Sequence, residues 1–166
     1  ESLKSYDWVW CIDADIMIMN QTIRLENIID NSYDVIMTTN LDSNIEHLNT
    51  GSILYKNSEW TYRFLDNIYN DGEFDKKGFW EQSAIIKYWK NNANERHHFK
   101  MVHKRLINSH YHYWFGEENY RHGDFVVHLA GTDNDYRYDT FKEMEKWIIK
   151  PDNNFKRRQK IYSYKV

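Results

Sequence analysis

An apolar run that stops at two aspartates is the feature that most constrains this chain. Residues 8–12 are mainly aromatic or β-branched, which is typical of a strand. Asp13 and Asp15 follow at once, with one residue between them. We predict a buried strand with both acids at its carboxyl end, the edge at which open α/β sheets bind their ligands. Because carboxylates there must be solvated or neutralised, the pair predicts a site for a divalent cation that grips phosphates.

Strand-like and helical patterns alternate along the rest of the chain, which predicts an α/β fold with a mostly parallel sheet flanked by helices. Further strands are predicted at 16–19, 34–39, 52–55, 101–107 and 125–129. A short helical segment is expected near 25–29. Three longer helices are expected after Ser58, from Trp80, and from a capping box of Thr140 and Glu143. The second of these would bury Trp80, Ala84, Ile85, Tyr88 and Trp89.

Length and composition exclude several classes of protein. The 166 residues predict one domain over 1–150, followed by a polar, basic tail at 151–166. A net charge of −3 gives no reason to expect nucleic acid as a partner. Cys11 is the one cysteine, which excludes an internal disulfide and a cysteine-based zinc site. No apolar run approaches the ~20 residues that span a bilayer, so membrane attachment would need an anchor that these residues do not supply.

The start of the chain predicts a fold that is incomplete at its N-terminal side. A doubly wound sheet normally has strands ahead of the ligand-binding one, whereas here that strand begins at Trp8.

His128 is the second candidate metal ligand. It lies within the apolar run 125–129, three residues before Gly131. Taken alone, such a histidine is best explained as a core residue with one hydrogen bond. Together with Asp13 and Asp15 it would complete a set of ligands that suits Mn²⁺ better than Zn²⁺ or Ca²⁺.

Glu81 and Gln82 begin a predicted helix and are candidate catalytic residues. A carboxylate and an amide at a helix start can face a reacting centre, but they can equally compensate the helix dipole. Both interpretations stay open on the residues alone. Gly51 follows Asn49 and Thr50 ahead of a strand, where glycine permits a close backbone approach or a positive φ angle.

Five short segments occur in an order that resembles glycosyltransferase family 34. They are WVWCIDAD at 8–15, LNTGS at 48–52, WEQSA at 80–84, KRLINS at 104–109 and FVVHLAG at 125–131. No single segment is decisive, but five in the same order are specific. The family includes fungal α-1,2-galactosyltransferases, α-1,6-mannosyltransferase subunits and plant xyloglucan xylosyltransferases.

The resemblance implies a GT-A fold, the fold of nucleotide-diphospho-sugar transferases, and transfer with retention of anomeric configuration. The enzyme would move galactose, xylose or mannose from a UDP- or GDP-sugar to a glycan acceptor, with Mn²⁺ as cofactor and Mg²⁺ as the alternative. It also implies a location on the lumenal side of the Golgi membrane for a eukaryotic member. Assembly into a homo- or hetero-oligomer is a further expectation.

The resemblance also assigns roles by position. Asp15 and His128 would be metal ligands, and Asp13 would contact the metal or the donor. Gln82 and Glu81 would lie beside the anomeric carbon as the catalytic pair. The donor-binding set would be Asp13, Ala14, Asp15, Asn49, Thr50, Gly51 and Gly131.

The chain departs from the family pattern in two places. A basic residue often follows the histidine motif near the phosphates, but here Thr132 and Asp133 follow Gly131. The acid before Gln82 is glutamate rather than the commoner aspartate, which lengthens its reach. Two rival interpretations remain: a family 8, glycogenin-like transferase, and a non-catalytic partner subunit or sugar-binding module with the same fold.

Overall fold

The computed structural model of the chain describes residues 2–39, 45, 48–72, 79–111 and 119–152. Within these ranges the strands are β1 (Trp8–Ile12), β2 (Ile16–Ile18), β3 (Val35–Thr39), β4 (Asn49–Lys56), β5 (Phe99–His103) and β6 (Val126–His128). The α-helices are α1 (Glu59–Asn70), α2 (Trp80–Asn91), α3 (Lys104–Ile107) and α4 (Asn134–Met144). Short 3₁₀ helices lie at Ser2–Ser5, Leu25–Asn27, Ala93–His98 and Glu145–Trp147.

The main sheet has four strands in the order β1-β4-β3-β5. β4 runs antiparallel to both of its neighbours, and β3 is parallel to β5, so three of the four strands point in the same direction. β2 pairs with β6 in a separate antiparallel ribbon. The predicted α/β architecture is therefore confirmed, with β4 making the sheet mixed.

β3 lies at the centre of the core, because all five of its residues are buried. Alternation along the strand sends Val35 and Met37 to one face and Ile36 to the other. The first face packs against α1 and α2 through Phe64 and Ile85. The second face packs against residues of β2 and β6. The sheet therefore separates a helical layer from the ribbon that carries half of the candidate site.

Several predicted elements are confirmed. The strands predicted at 16–19 and 34–39 appear as β2 and β3, and the short helical segment near 25–29 appears as a 3₁₀ helix. α1 follows Ser58, whose side chain accepts a hydrogen bond from the backbone N–H of Thr61 at 3.2 Å. That bond satisfies one of the free donors at the helix start.

Two predictions about burial were wrong. β1 is only half-buried, and its Cys11 and Ile12 are exposed, because β4 is the only neighbour of β1 in the described sheet. Trp80 is 63% exposed, although Ala84 and Ile85 are buried as predicted. The backbone explains this exposure: Phe79 and Trp80 have positive φ angles of 72° and 24°, which turn the first helical residue away from the buried face.

Two predictions about element boundaries were also wrong. The strand predicted over 101–107 ends at His103 and gives way to the single helical turn of α3. The last helix starts at Asn134 rather than at the predicted capping box. Asp133 caps it by accepting from the N–H of Tyr136 at 2.8 Å, while Thr140 is buried inside the helix. An aspartate seven residues earlier was the stronger start signal.

Most of the predicted basic tail, from residue 153 onward, lies outside the described residues. Among the residues that are described, no helix combines the length and the apolar character needed to cross a bilayer.

Candidate metal and donor site

The two aspartates lie in the turn that links the sheet to the ribbon. The N–H of Asp13 donates to the carbonyl of Gly51 at 2.8 Å, which ties the end of β1 to β4. The N–H of Ile16 donates to the carbonyl of Asp13 at 3.1 Å and closes the turn. The carbonyl of Asp15 accepts from the N–H of Leu129 at 3.0 Å, so the segment after β6 holds the second aspartate. Backbone hydrogen bonds therefore hold the main chain of both aspartates in place.

His128 faces the two aspartates from the end of β6. Its Nε2 lies 3.1 Å from Asp15 Oδ1 and 3.9 Å from Asp13 Oδ2. One potential ligand atom from each residue lies within 4.8 Å of the others. An octahedral ion with bonds of about 2.1 Å holds adjacent ligand atoms about 3 Å apart and opposite ones about 4 Å apart. The spacing therefore suits a single small divalent cation.

A chain of hydrogen bonds fixes the tautomer of His128. The N–H of Gly51 can only donate, so its 3.0 Å contact identifies the amide oxygen of Asn49. Asn108 Nδ2 donates to that oxygen at 2.8 Å and to Thr38 Oγ1 at 3.2 Å. Asn108 Oδ1 is therefore the acceptor 2.7 Å from His128 Nδ1. In its neutral form, His128 therefore carries its proton on Nδ1 and turns the lone pair of Nε2 toward the aspartates, as metal-binding histidines do.

This tautomer makes the contact between His128 and Asp15 a meeting of two acceptors. Their lone pairs repel at 3.1 Å unless a proton or a metal ion lies between them. Little water screens the contact, because the two side chains are 2% and 14% exposed. Asp13 is 57% exposed and leaves the third side open to an incoming ligand. A donor set of one imidazole and two carboxylates with an open side fits Mn²⁺ or Mg²⁺.

Gly51 makes room for the imidazole. A Cβ at this position would lie 2.4 Å from His128 Cε1 and 3.0 Å from Asp13 Oδ2. No side chain larger than hydrogen fits without moving one of the two metal-ligating groups. The glycine of the 48–52 segment is thus explained by close approach rather than by an unusual φ angle.

The start of α2 is joined to the site through Thr50. Thr50 Oγ1 donates to Glu81 Oε1 at 2.7 Å, and the N–H of Thr50 donates to Gln82 Oε1 at 3.4 Å. Thr50 directly precedes Gly51, so these bonds bring the two helix residues beside the metal-ligating cluster. The negative charge of Glu81 reaches Asp13, since it is one cause of the raised pKa there.

A partly buried ion pair holds the segment that carries Asn108. Arg105 contacts Asp124 through both forks of its guanidinium, at 3.0 Å from Nε and 2.7 Å from Nη2. Ser109 Oγ donates to the same carboxylate at 3.1 Å. Because Asp124 directly precedes the β6 segment, this clamp fixes Asn108 relative to His128.

The pKa values of the two aspartates are shifted in opposite directions. Burial raises the pKa of Asp13; His128 opposes this rise, while the charges of Asp15 and Glu81 add to it. The pKa of Asp15 is lowered, mainly by its contact with His128 and further by the charge of Arg137. A metal ion at Asp15 would lower the pKa of that carboxyl further.

The structure brings eight of the predicted residues into one connected cluster: Asp13, Asp15, Asn49, Thr50, Gly51, Glu81, Gln82 and His128. Ala14 lies in the exposed turn between the aspartates. Gly131 lies three residues beyond His128 in a turn closed by Thr132, at a φ of 71° that suits glycine.

Sequence reasoning assigned no role to three residues that shape the site. Asn108 and Asp124 act through contacts made across the fold, and Arg137 reaches Asp15 from α4. One signal was available for Asn108, because a polar pair at 108–109 directly follows an apolar pair at 106–107. Nothing local marks Arg137.

A sequence model of the galactosyl transferase GMA12/MNN10 family matches residues 27–139. The chain belongs to this family. The predicted resemblance to glycosyltransferase family 34 is thereby confirmed. The matched range includes Asn49, Gln82, Asn108 and His128 and begins after the two aspartates.

Named relatives agree with this family. A Schizosaccharomyces pombe protein, "Uncharacterized alpha-1,2-galactosyltransferase C637.06", is 28% identical over 173 positions, which cover 79% of this chain and 50% of the relative. The Saccharomyces cerevisiae "Probable alpha-1,6-mannosyltransferase MNN10" is 27% identical over 179 positions, covering 84% and 44%. The chain thus spans about half the length of these family members.

The fold is shared with a solved glycosyltransferase. The crystal structure of a glycosyltransferase involved in the glycosylation of the major capsid of PBCV-1 matches with a TM-score of 0.62. The match covers 87% of this chain and 69% of that chain at 13% sequence identity. At this identity the likeness supports the fold alone, and the predicted GT-A-like architecture is consistent with it.

Proposed function

We propose that this chain carries the metal site and the catalytic residues of a retaining glycosyltransferase. It would transfer galactose, xylose or mannose from a UDP- or GDP-sugar to a glycan acceptor. The observation that best supports this proposal is the meeting of Asp13, Asp15 and Nε2 of His128 in a member of the family. We further propose the lumenal side of the Golgi membrane as the location of the parent protein, following the family resemblance.

The metal would sit between the aspartates and His128. When bound, Mn²⁺ or Mg²⁺ would offset the charge of the leaving diphosphate as a Lewis acid. The open side of the cluster, at the exposed carboxylate of Asp13, is where the donor would approach. Asn108 and Asn49 hold the imidazole ready, so little reorganisation is needed at the moment of binding.

Glu81 and Gln82 would act at the sugar. Thr50 holds both side chains by hydrogen bonds, which limits their movement next to the cluster. The neutral carbonyl of Gln82 would support positive charge that develops at the anomeric carbon, and the carboxylate of Glu81 would add to that field. Transfer from the same face of the sugar depends on such positioning of the donor and the acceptor hydroxyl.

Donor hydrolysis gives a direct test. We would assay UDP-galactose, UDP-glucose, UDP-xylose and GDP-mannose with this chain and with its Asp15→Ala variant. We expect hydrolysis of one of these donors in the presence of Mn²⁺. This hydrolysis should be lost in the variant and on addition of a chelator. Asp66→Ala is the matched control, since Asp66 is an exposed acid on α1.

A second variant separates catalysis from binding. Gln82→Ala should lower turnover by about 10²–10³-fold while donor binding is kept, as expected for a group that acts on the transition state. A chain that holds glycan without Mn²⁺ and ignores Asp15→Ala would be a non-catalytic sugar-binding module instead. That result would overturn the proposed activity.

A further inference from the structure

Arg137 is a cation fixed beside the metal site by contacts on three sides. Its Nη2 lies 3.3 Å from Asp15 Oδ2. Its Nε donates to Thr132 Oγ1 at 3.2 Å, and its Nη1 donates to Asn134 Oδ1 at 3.2 Å. Thr132 Oγ1 in turn donates to the carbonyl of Leu129 at 2.6 Å, so the residue that steers the guanidinium is itself tied to the β6 segment.

We infer that Arg137 binds the diphosphate of the sugar donor, and that its ion pair with Asp15 is the resting contact that this binding replaces. The inference rests on the proposed function, because it requires a diphosphate ligand at the metal site. It assigns to α4 the positive charge that the sequence lacks directly after Gly131, where Thr132 and Asp133 stand.

After its three contacts, the guanidinium of Arg137 still has N–H groups for a ligand. Each of the three contacts uses at most one N–H, so a guanidinium with five leaves one on each terminal nitrogen for a further acceptor. The side chain is 31% exposed, whereas Asp15 is 14% exposed, so a ligand can reach Arg137 from the open side of the site. Two parallel N–H groups match the oxygens of a phosphate.

The charges at the site also favour an exchange of partners by Arg137. The ion pair at 3.3 Å is longer than the ~2.7–2.9 Å of a strong charge-assisted hydrogen bond, so it is readily exchanged. A metal ion bound at Asp15 would compete with the guanidinium for the same carboxylate and repel it. A diphosphate held by that ion would offer Arg137 new acceptors within a few ångströms of the old one.

A purely structural ion pair predicts a different outcome from a phosphate-binding one. If Arg137 merely anchored α4, its removal would weaken binding of the metal and of the diphosphate together. If Arg137 competes for Asp15 and then binds phosphate, its removal should change the two affinities in opposite directions.

The experiment measures both affinities in wild type, Arg137→Met and Arg137→Lys. Mn²⁺ binding is followed by electron paramagnetic resonance of free Mn²⁺, and UDP or inorganic pyrophosphate is titrated calorimetrically at saturating Mn²⁺. Lys142→Met is the matched control, because it removes an exposed positive charge from the same helix. Circular dichroism melts check that each variant is folded.

For Arg137→Met we expect Mn²⁺ alone to bind about 3- to 10-fold more tightly, as one competing charge is lost in a partly solvated site. UDP and pyrophosphate should bind about 10- to 100-fold more weakly, since charge-assisted hydrogen bonds are lost. Arg137→Lys should retain part of the diphosphate affinity, because it keeps the charge without the fork. Lys142→Met should change neither affinity beyond about twofold.

Three results overturn the inference. Unchanged diphosphate affinity in Arg137→Met would show that the guanidinium does not bind phosphate. A parallel loss of metal and diphosphate affinity would assign Arg137 a structural role. If wild type binds Mn²⁺ but neither UDP nor pyrophosphate, Arg137 has no diphosphate to bind and the inference fails. The proposed transferase fails separately, by absence of Mn²⁺-dependent donor hydrolysis in wild type.

Discussion

Replacing Asn108 by leucine tests how the metal site is organised. Leucine has the same branching at Cγ but no hydrogen-bonding group. The change would leave the Nδ1–H of His128 without its acceptor at a position where the imidazole is 2% exposed. The imidazole would then be free to carry its proton on Nε2, where the proton blocks metal binding.

The magnitude follows from the contacts. The side chain of Asn108 is fully buried and makes three hydrogen bonds, to Thr38, Asn49 and His128. A buried partner left unsatisfied costs about 1–3 kcal/mol, and a neutral hydrogen bond contributes about 0.5–1.5 kcal/mol. We therefore expect the free energy of unfolding to fall by about 2–4 kcal/mol. Loss of a residue that orients a metal-bound histidine lowers metal affinity by about 10- to 100-fold.

Asn108→Asp should separate stability from metal binding. Its carboxylate still accepts from His128 Nδ1 and makes the imidazole a stronger ligand. Its second oxygen, however, replaces the donor that faces the amide oxygen of Asn49, so two acceptors meet at about 2.8 Å. We expect this variant to lose stability as the leucine variant does, but to keep or increase its affinity for Mn²⁺.

Mn²⁺ titration and urea unfolding at pH 7.5 measure the two quantities on the same samples. Asn94→Leu, at an exposed position in the 3₁₀ helix Ala93–His98, controls for loss of an asparagine elsewhere. Folded Asn108→Leu that binds Mn²⁺ as tightly as wild type would contradict this role of Asn108. Equal losses of metal affinity in the aspartate and leucine variants would contradict it too.

Two further predictions concern packing and pH. Gly51→Ala should lower the affinity for Mn²⁺ more than tenfold, because the new Cβ would lie 2.4 Å from an imidazole carbon of His128. The same change should lower the free energy of unfolding in urea titrations by about 1–3 kcal/mol. Gly72→Ala is the control and should be nearly neutral, because a Cβ there meets nothing within 4 Å. Burial alone would raise the pKa of Asp34, but hydrogen bonds from Ser58 and His98 outweigh it and lower the pKa. The stabilisation from Asp34 should therefore be complete above about pH 4 and disappear as the pH falls through its lower folded-state value. Urea unfolding at several pH values should show wild type converging with Asp34→Asn as the pH falls, and a constant difference would contradict the assignment.

The sequence was informative wherever a signal was local. The apolar run Val35-Ile36-Met37 identified β3, and the Ser58 cap marked the start of α1. The cluster of three candidate metal ligands was also predictable, because each combines an ionisable group with the end of an apolar strand. They could be grouped as one site because burying acids and a histidine at strand ends costs free energy unless a partner neutralises them.

What could not be predicted depends on tertiary contacts. Asn108 meets Asn49 across 59 positions, and no local pattern encodes that meeting. The insertion of antiparallel β4 between β1 and β3 is likewise a property of the whole sheet. The prediction that Trp80 is buried was wrong for a different reason. Its helical spacing was correct, but the positive φ angles at the start of α2 turn it out of the buried face.

The distance along the chain between the ligands has a consequence for folding. Asp15 and His128 are 113 positions apart, and they meet only when β6 pairs with β2. Any partly folded form with the main sheet but without this ribbon has two carboxylates and no imidazole. Mn²⁺ would therefore favour the complete fold over every intermediate that precedes it, by an amount that grows with the logarithm of its concentration above the dissociation constant. A cation bound there for chemistry would thus also close this long loop of the chain.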